Sequence, residues 1–90
     1  NVFDQAFKYL DRALSISNRL FPEGNPVVGQ IYIGLTEYYY RQKQFDKALE
    51  NLVRADEIYE KFFPADHYQR VKIQKMLGQI KRSQHLSKKI

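Results

Sequence analysis

Phe45-Asp46-Lys47-Ala48-Leu49-Glu50-Asn51-Leu52-Val53-Arg54-Ala55-Asp56-Glu57-Ile58 repeats a text that the chain has already used 42 residues earlier. In the first copy Phe3, Asp4, Ala6, Leu10, Arg12, Ala13 and Ile16 stand where Phe45, Asp46, Ala48, Leu52, Arg54, Ala55 and Ile58 stand in the second. The echo continues through Phe21-Pro22 and Phe63-Pro64, Ile31 and Ile73, Leu35 and Leu77. Eleven of the 36 paired positions, 3–38 against 45–80, are identical. Within each copy the apolar residues recur every three or four positions, the spacing of one helix face. A repeat of this length marks stacked copies of one supersecondary unit, none of which buries its apolar face alone.

Working outward, the spacing predicts four helices, over about 3–20, 26–42, 45–62 and 66–84. Phe21-Pro22 and Phe63-Pro64 end the first and third, because a residue before proline is pushed out of the α region and proline has no N–H to give. Asn25 is a good N-cap for the second helix, with Pro26 in the tolerated first turn. Gln42-Lys43-Gln44 is a turn so short that the next helix must return antiparallel. Asp66 is expected to cap the fourth helix, with Gln69 three residues on in a capping-box arrangement. Past Ser83 the pattern weakens. Residues 1–86 are therefore read as a single helical-repeat domain and 87–90 as a frayed basic tail. The chain begins on the second helix of a unit, so it reads as part of a longer array, with Phe3, Phe7 and Leu10 left partly uncovered.

Composition narrows the class. There is no cysteine, hence no disulfide and no thiolate metal site, which suits a reducing, cytoplasmic setting. The longest uncharged stretch, near Val27–Thr36, is too short to span a bilayer. Residues 1–66 hold eight basic and ten acidic side chains, net −2, whereas 67–90 hold seven basic and no acidic ones, net +7. That asymmetry points to an acidic partner surface or a solvated tail. His67 and His85 lack neighbours at metal-ligand spacing, Ser15 and Ser17 lack a base, and there is no glycine-rich phosphate loop. Neither a cofactor nor catalysis is expected. Nucleic acid is a poor fit, since the basic residues are not interleaved with stacking aromatics. A membrane surface is a poor fit because the apolar face of the fourth helix is needed for packing.

The residues at these positions resemble tetratricopeptide repeats. Tyr32, Leu35, Thr36 and Tyr39 fall on the large–Leu–small–aromatic signature of the family's first helix, and Ala48, Leu52 and Ala55 on the Ala–large–Ala signature of its second. Ala6, Leu10 and Ala13 before, and Leu77 and Gly78 after, agree. Thr36 stands for the usual Gly or Ala, Lys43 for a common turn Gly, and Gln74 and Lys81 for two aromatics, which suggests that the fourth helix is a polar cap. The 42-residue spacing resembles the long variety found in kinesin light chains and in the C-terminal regions of SET/MYND-type proteins.

The resemblance implies an all-α fold of antiparallel helix hairpins stacked in a right-handed superhelix, whose concave groove is lined by the first helix of each unit. Carried onto this chain, the groove positions are Gln30, Ile33, Glu37, Tyr40 and Arg41 in the second helix and Lys72, Lys75, Gln79 and Arg82 in the fourth. The implied function is a scaffold that binds a protein or peptide, with Arg41, Lys72, Lys75 and Arg82 favouring an acidic ligand and Tyr40 and Ile33 as apolar anchors. The paired Asn and Lys residues that clamp a C-terminal carboxylate in chaperone-binding members are absent as a set. Self-association through exposed terminal repeat faces is a further expectation. The alternative is a structural segment that packs against other domains of its own chain, such as the non-catalytic part of a SET/MYND-type methyltransferase.

Overall fold

The structure, a computed structural model, describes residues 2–89. Four helices follow one another: α1 (Val2–Leu20), α2 (Pro26–Arg41), α3 (Phe45–Phe62) and α4 (Tyr68–Lys89). No strand occurs among the described residues. The all-α hairpin architecture expected from the repeat is thus present. Among the described residues no helix is long and apolar enough to cross a membrane.

Local chemistry sets the boundaries. Asn25 is extended, and its side-chain oxygen accepts from the Val28 N–H at 3.0 Å, satisfying an otherwise orphaned donor of α2. Lys43 turns the chain in the left-handed region at φ 60°, which brings the Gln44 N–H to the Tyr39 carbonyl at 2.9 Å. That conformation suits glycine better than lysine, and it explains why this position is commonly a glycine. Phe63 is extended before Pro64 and closes α3.

Cross-helix contacts show that successive helices are antiparallel. Phe7 stacks on Tyr38 at 4.7 Å while Leu10 lies against Gly34, so rising numbers in α1 meet falling ones in α2. Gly29 faces Tyr59, and Tyr39 faces Lys47. Asp56 accepts from Gln74, and Asp46 from Gln84. The molecule is only 18 Å thick, about two helix diameters.

The core is centred on α3. Ala48, Leu52 and Ala55 are fully buried, between Val28, Ile31 and Leu35 of α2 and Ile73 and Ile80 of α4. The small alanines let the neighbouring backbones approach while Leu52 fills the groove between them. Gly29 gives a close approach here: a Cβ on it would stand 3.1 Å from the Tyr59 ring, which would have to shift to admit it. Thr36 is buried where the family usually has Gly or Ala, and its hydroxyl is satisfied by donating to the Tyr32 carbonyl at 2.8 Å.

Two details differ from the sequence reading. The fourth helix begins at Tyr68, and its cap is His67 rather than Asp66: the Gln69 N–H donates to His67 Nδ1 at 3.2 Å. The imidazole stacks on Phe63 at 4.1 Å and on Tyr68 at 4.9 Å, and these rings fix it at the cap. The helix also continues to Lys89; of the tail read as frayed, Ile90 lies outside the described residues. As expected, Phe3, Phe7 and Leu10 are partly uncovered: Phe7 and Leu10 are half-buried against α2 and Phe3 is exposed, beside an open stripe of Val2, Ala6, Tyr9, Ile16 and Leu20.

Candidate functional site

α2 and α4 meet where the Tyr40 and Ser83 hydroxyls lie 3.0 Å apart. Beside this contact is a pocket of about 360 Å³, lined by Thr36, Glu37, Tyr40 and Arg41 of α2 and by Met76, Gln79 and Ile80 of α4. The i, i+3, i+4 spacing on each helix brings these residues to one face. Ile80 and Thr36 are the buried part of the lining, and the Thr36 hydroxyl is already used within α2, so the floor offers apolar surface.

The rim is polar. Tyr40 packs edge-on against Phe45 at 5.4 Å, which holds its ring between α2 and α3. The Arg41 guanidinium lies over the Phe3 ring, 5.2 Å from its centre, a cation–π contact that leaves the charge toward solvent. Glu37 makes no ion pair. The ion pair among the described residues is Arg54–Glu50 at 3.6 Å, on an exposed turn of α3. Lys72, Lys75, Lys81 and Arg82 are exposed cations that form no ion pair among the described residues.

The structure distributes the expected groove residues unevenly. Glu37, Tyr40, Arg41 and Gln79 share the pocket. Ile33 is half-buried and packs against the core. Gln30, Lys72 and Lys75 are exposed outside the pocket, and Arg82 lines a shallow depression with Lys81, His85 and Leu86. Sequence reasoning missed Thr36, Met76 and Ile80 as pocket residues, since each fits a packing stripe. The available signal was the repeat register: Met76 stands at the position that Gly34 holds one unit earlier, so a long side chain replaces none.

Two phenols depart from ordinary acidity, both outside the pocket. Burial, and then the Asp4 carboxylate that accepts from its hydroxyl at 3.4 Å, raises Tyr38. Burial, followed by nearby Tyr68, raises Tyr59, whose buried hydroxyl has no hydrogen-bond partner. Among the described residues no three His, Asp or Glu side chains are grouped to hold a metal. An apolar floor with a charged rim is a surface for contact.

A family model described as tetratricopeptide repeat matches residues 2–61. No curated protein and no solved structure matches the chain. The match covers two thirds of the sequence, including α2 and all but the last residue of α3, and with that hairpin's buried Ala48, Leu52 and Ala55 it places the chain in the tetratricopeptide repeat family.

Proposed function

We propose that this chain is a protein-interaction module that holds an acidic peptide, or an acidic segment of a partner protein, along the face shared by α2 and α4. Tetratricopeptide repeats generally mediate protein–protein interaction, which supports the class. The observation that carries the acidic specificity is α4 itself, which has no acidic residue and whose Lys72, Lys75, Lys81 and Arg82 are exposed and unpaired. Arg41 and these cations supply the charge, while Ile33, Glu37, Tyr40 and Gln79 supply the remaining contacts. Exposed pairs are worth only about 0.2–1 kcal/mol each, so recognition rests on several acting together and weakens with salt. The lack of cysteine supports a cytoplasmic adaptor role, and the 42-residue spacing supports kinship with the long-helix variety of the family.

The direct test is a comparison of the wild-type chain with a Lys72→Glu/Lys75→Glu/Arg82→Glu variant in pull-downs from cytosol at physiological salt. Partners with acidic segments held by the wild type and lost by the variant support the reading. Identical captures by both overturn it.

One observation favours a second reading, in which the chain is a structural segment docked on another domain. The open α1 stripe exposes Tyr9 at 76% and Leu20 at 68%, and apolar surface of this kind is commonly covered. Self-association through the same stripe belongs to this reading, and sedimentation at increasing concentration separates it from a monomeric module.

A further inference from the structure

We propose that the outer face of α4 docks on an anionic lipid bilayer, a role that goes beyond the peptide reading and does not require it. α4 packs through Ile73, Met76, Leu77 and Ile80. A second set, Tyr68, Val71, Lys75, Arg82 and Leu86, recurs at steps of three, four and seven residues along the opposite side, one continuous helix face. Tyr68 is 71% exposed, Val71 41% and Leu86 62%. Nothing lies over the middle of this side: a Cβ built on Gly78 would meet nothing within 4 Å, whereas Thr36, its counterpart in α2, is buried. From sequence, a membrane surface is a poor fit because α4 needs its apolar face for packing; the structure gives α4 exposed apolar residues besides the packed ones.

The charge of this helix complements an anionic surface. α4 carries seven Lys and Arg residues and no acid. The α3 carboxylates that reach it, Asp56 and Asp46, do so through Gln74 and Gln84 on the packed side. Lys81, Arg82, His85 and Leu86 enclose a shallow depression of about 410 Å³, where the aliphatic stems of the basic residues adjoin Leu86 while their charged ends reach water. The exposed apolar residues favour a bilayer over an acidic polypeptide or a nucleic acid. Tyr68 and Leu86 stand about 27 Å apart along the helix, with Lys75 and Arg82 between them. A purely anionic chain would neutralise the cations and leave both apolar side chains in water. A bilayer interface offers headgroup charge and, about 5–10 Å beneath, hydrocarbon in one plane, and tyrosine suits that boundary with its apolar ring and polar tip. Such a plane needs no groove, only an unobstructed helix. Lys75 and Arg82 also belong to the proposed peptide site, so a bilayer and an acidic peptide compete for them.

The test is sedimentation of the 90-residue chain with vesicles of phosphatidylcholine alone, or of phosphatidylcholine and phosphatidylserine in equal parts. The expected result is binding to the anionic vesicles that falls as salt is raised, and none to the neutral ones. Lys75→Ala/Arg82→Ala weakens it by about tenfold or more, since each Lys or Arg near such a surface contributes about 1 kcal/mol and tenfold is about 1.4 kcal/mol. The chain has no tryptophan, so Leu86→Trp places a lone fluorescent reporter on the face. Its emission shifts to the blue with anionic vesicles, while that of Tyr9→Trp, on the open stripe of α1, does not; circular dichroism checks that both variants stay helical. Absence of binding to the anionic vesicles overturns the inference and leaves the peptide reading untouched. Binding with unshifted Leu86→Trp emission overturns it too, by reducing the contact to diffuse charge, as does an equal blue shift in Tyr9→Trp, which puts the lipid on the other side of the molecule. A blue shift of Leu86→Trp produced by a decaglutamate peptide and not by vesicles assigns the face to an acidic protein and overturns the bilayer.

Discussion

α1 and α3 are written with the same key residues and live in different environments. Ala48, Leu52 and Ala55 of α3 are fully buried, whereas their counterparts Ala6, Leu10 and Ala13 in α1 are exposed or half-buried, and α1 contributes no buried residue at all. The difference is coverage. α3 has α2 on one side and α4 on the other; α1 has α2 alone. The face of α3 that holds α2, with Ile58 against Gly24 and Gly29, corresponds in α1 to the open stripe that ends in Ile16 and Leu20. In a repeat array the same residues make a core or a surface according to what is stacked on them.

The comparison is sharpest for Leu52 and Leu10. Leu52→Ala should cost about 3–4 kcal/mol, the range for a fully buried leucine whose site cannot collapse, enough to unfold so thin a domain. Leu10→Ala should cost only about 1–2 kcal/mol, because part of the side chain is already in water. Urea unfolding followed by circular dichroism reads both, and equal losses would break the comparison. Next in size are the alanines. Ala48→Leu overpacks a closed contact and should cost about 1–3 kcal/mol, while Ala6→Leu, on an exposed face, should stay within about 0.5 kcal/mol. Thermal melts of the two variants test this pair.

A smaller effect with the opposite sign is expected at Tyr59, whose counterpart in α1 is Ser17. Its buried hydroxyl is unpartnered, and such a group costs about 1–3 kcal/mol, so Tyr59→Phe should gain about 1 kcal/mol. The same phenol carries a pH signature. Its ionisation is pushed up in the folded chain, so the folded state holds the proton more tightly than the unfolded state. The associated stability is whole below the ordinary tyrosine pKa of about 10. It is lost as pH rises from there through the raised folded value. Tyr59→Phe should flatten the loss of stability above pH 10, leaving the part due to Tyr38; an unchanged alkaline profile would show that Tyr59 does not carry it. The smallest expected effect concerns the caps. Asn25→Ala should cost about 1 kcal/mol, and His67→Asn, which places the α2 cap at the same repeat position of α4, should cost nothing or stabilise slightly in the same melts.

The hairpins were legible because the information is periodic. Phe45, Ala48, Leu52 and Ala55 declare one face, and Phe63-Pro64 declares where it stops. What could not be read was relational. Asp66 and His67 are both plausible caps in sequence, and only the stacking of His67 between Phe63 and Tyr68 decides between them. Phe7 and Leu10 were legible as partly open, but not that α2 is what half-covers them, because periodicity gives a stripe and not the neighbour it faces. The pocket was partly legible for the same reason. Glu37, Tyr40, Arg41 and Gln79 follow from helix register, but Met76 and Ile80 serve core and pocket together, and the pocket exists only because α2 and α4 come together near Tyr40 and Ser83.

The central claim is that an acidic ligand settles on the face shared by α2 and α4 and not on the open face of α1. The most direct measurement is a backbone amide NMR titration of the chain with a decaglutamate peptide at low and at physiological salt. The account predicts shifts concentrated at Glu37, Tyr40, Arg41, Lys72, Lys75, Gln79 and Arg82 that shrink as salt is raised. Shifts centred on Ala6, Tyr9, Ile16 and Leu20, or spread evenly over all basic residues including Lys8, Arg12 and Lys61, would contradict it.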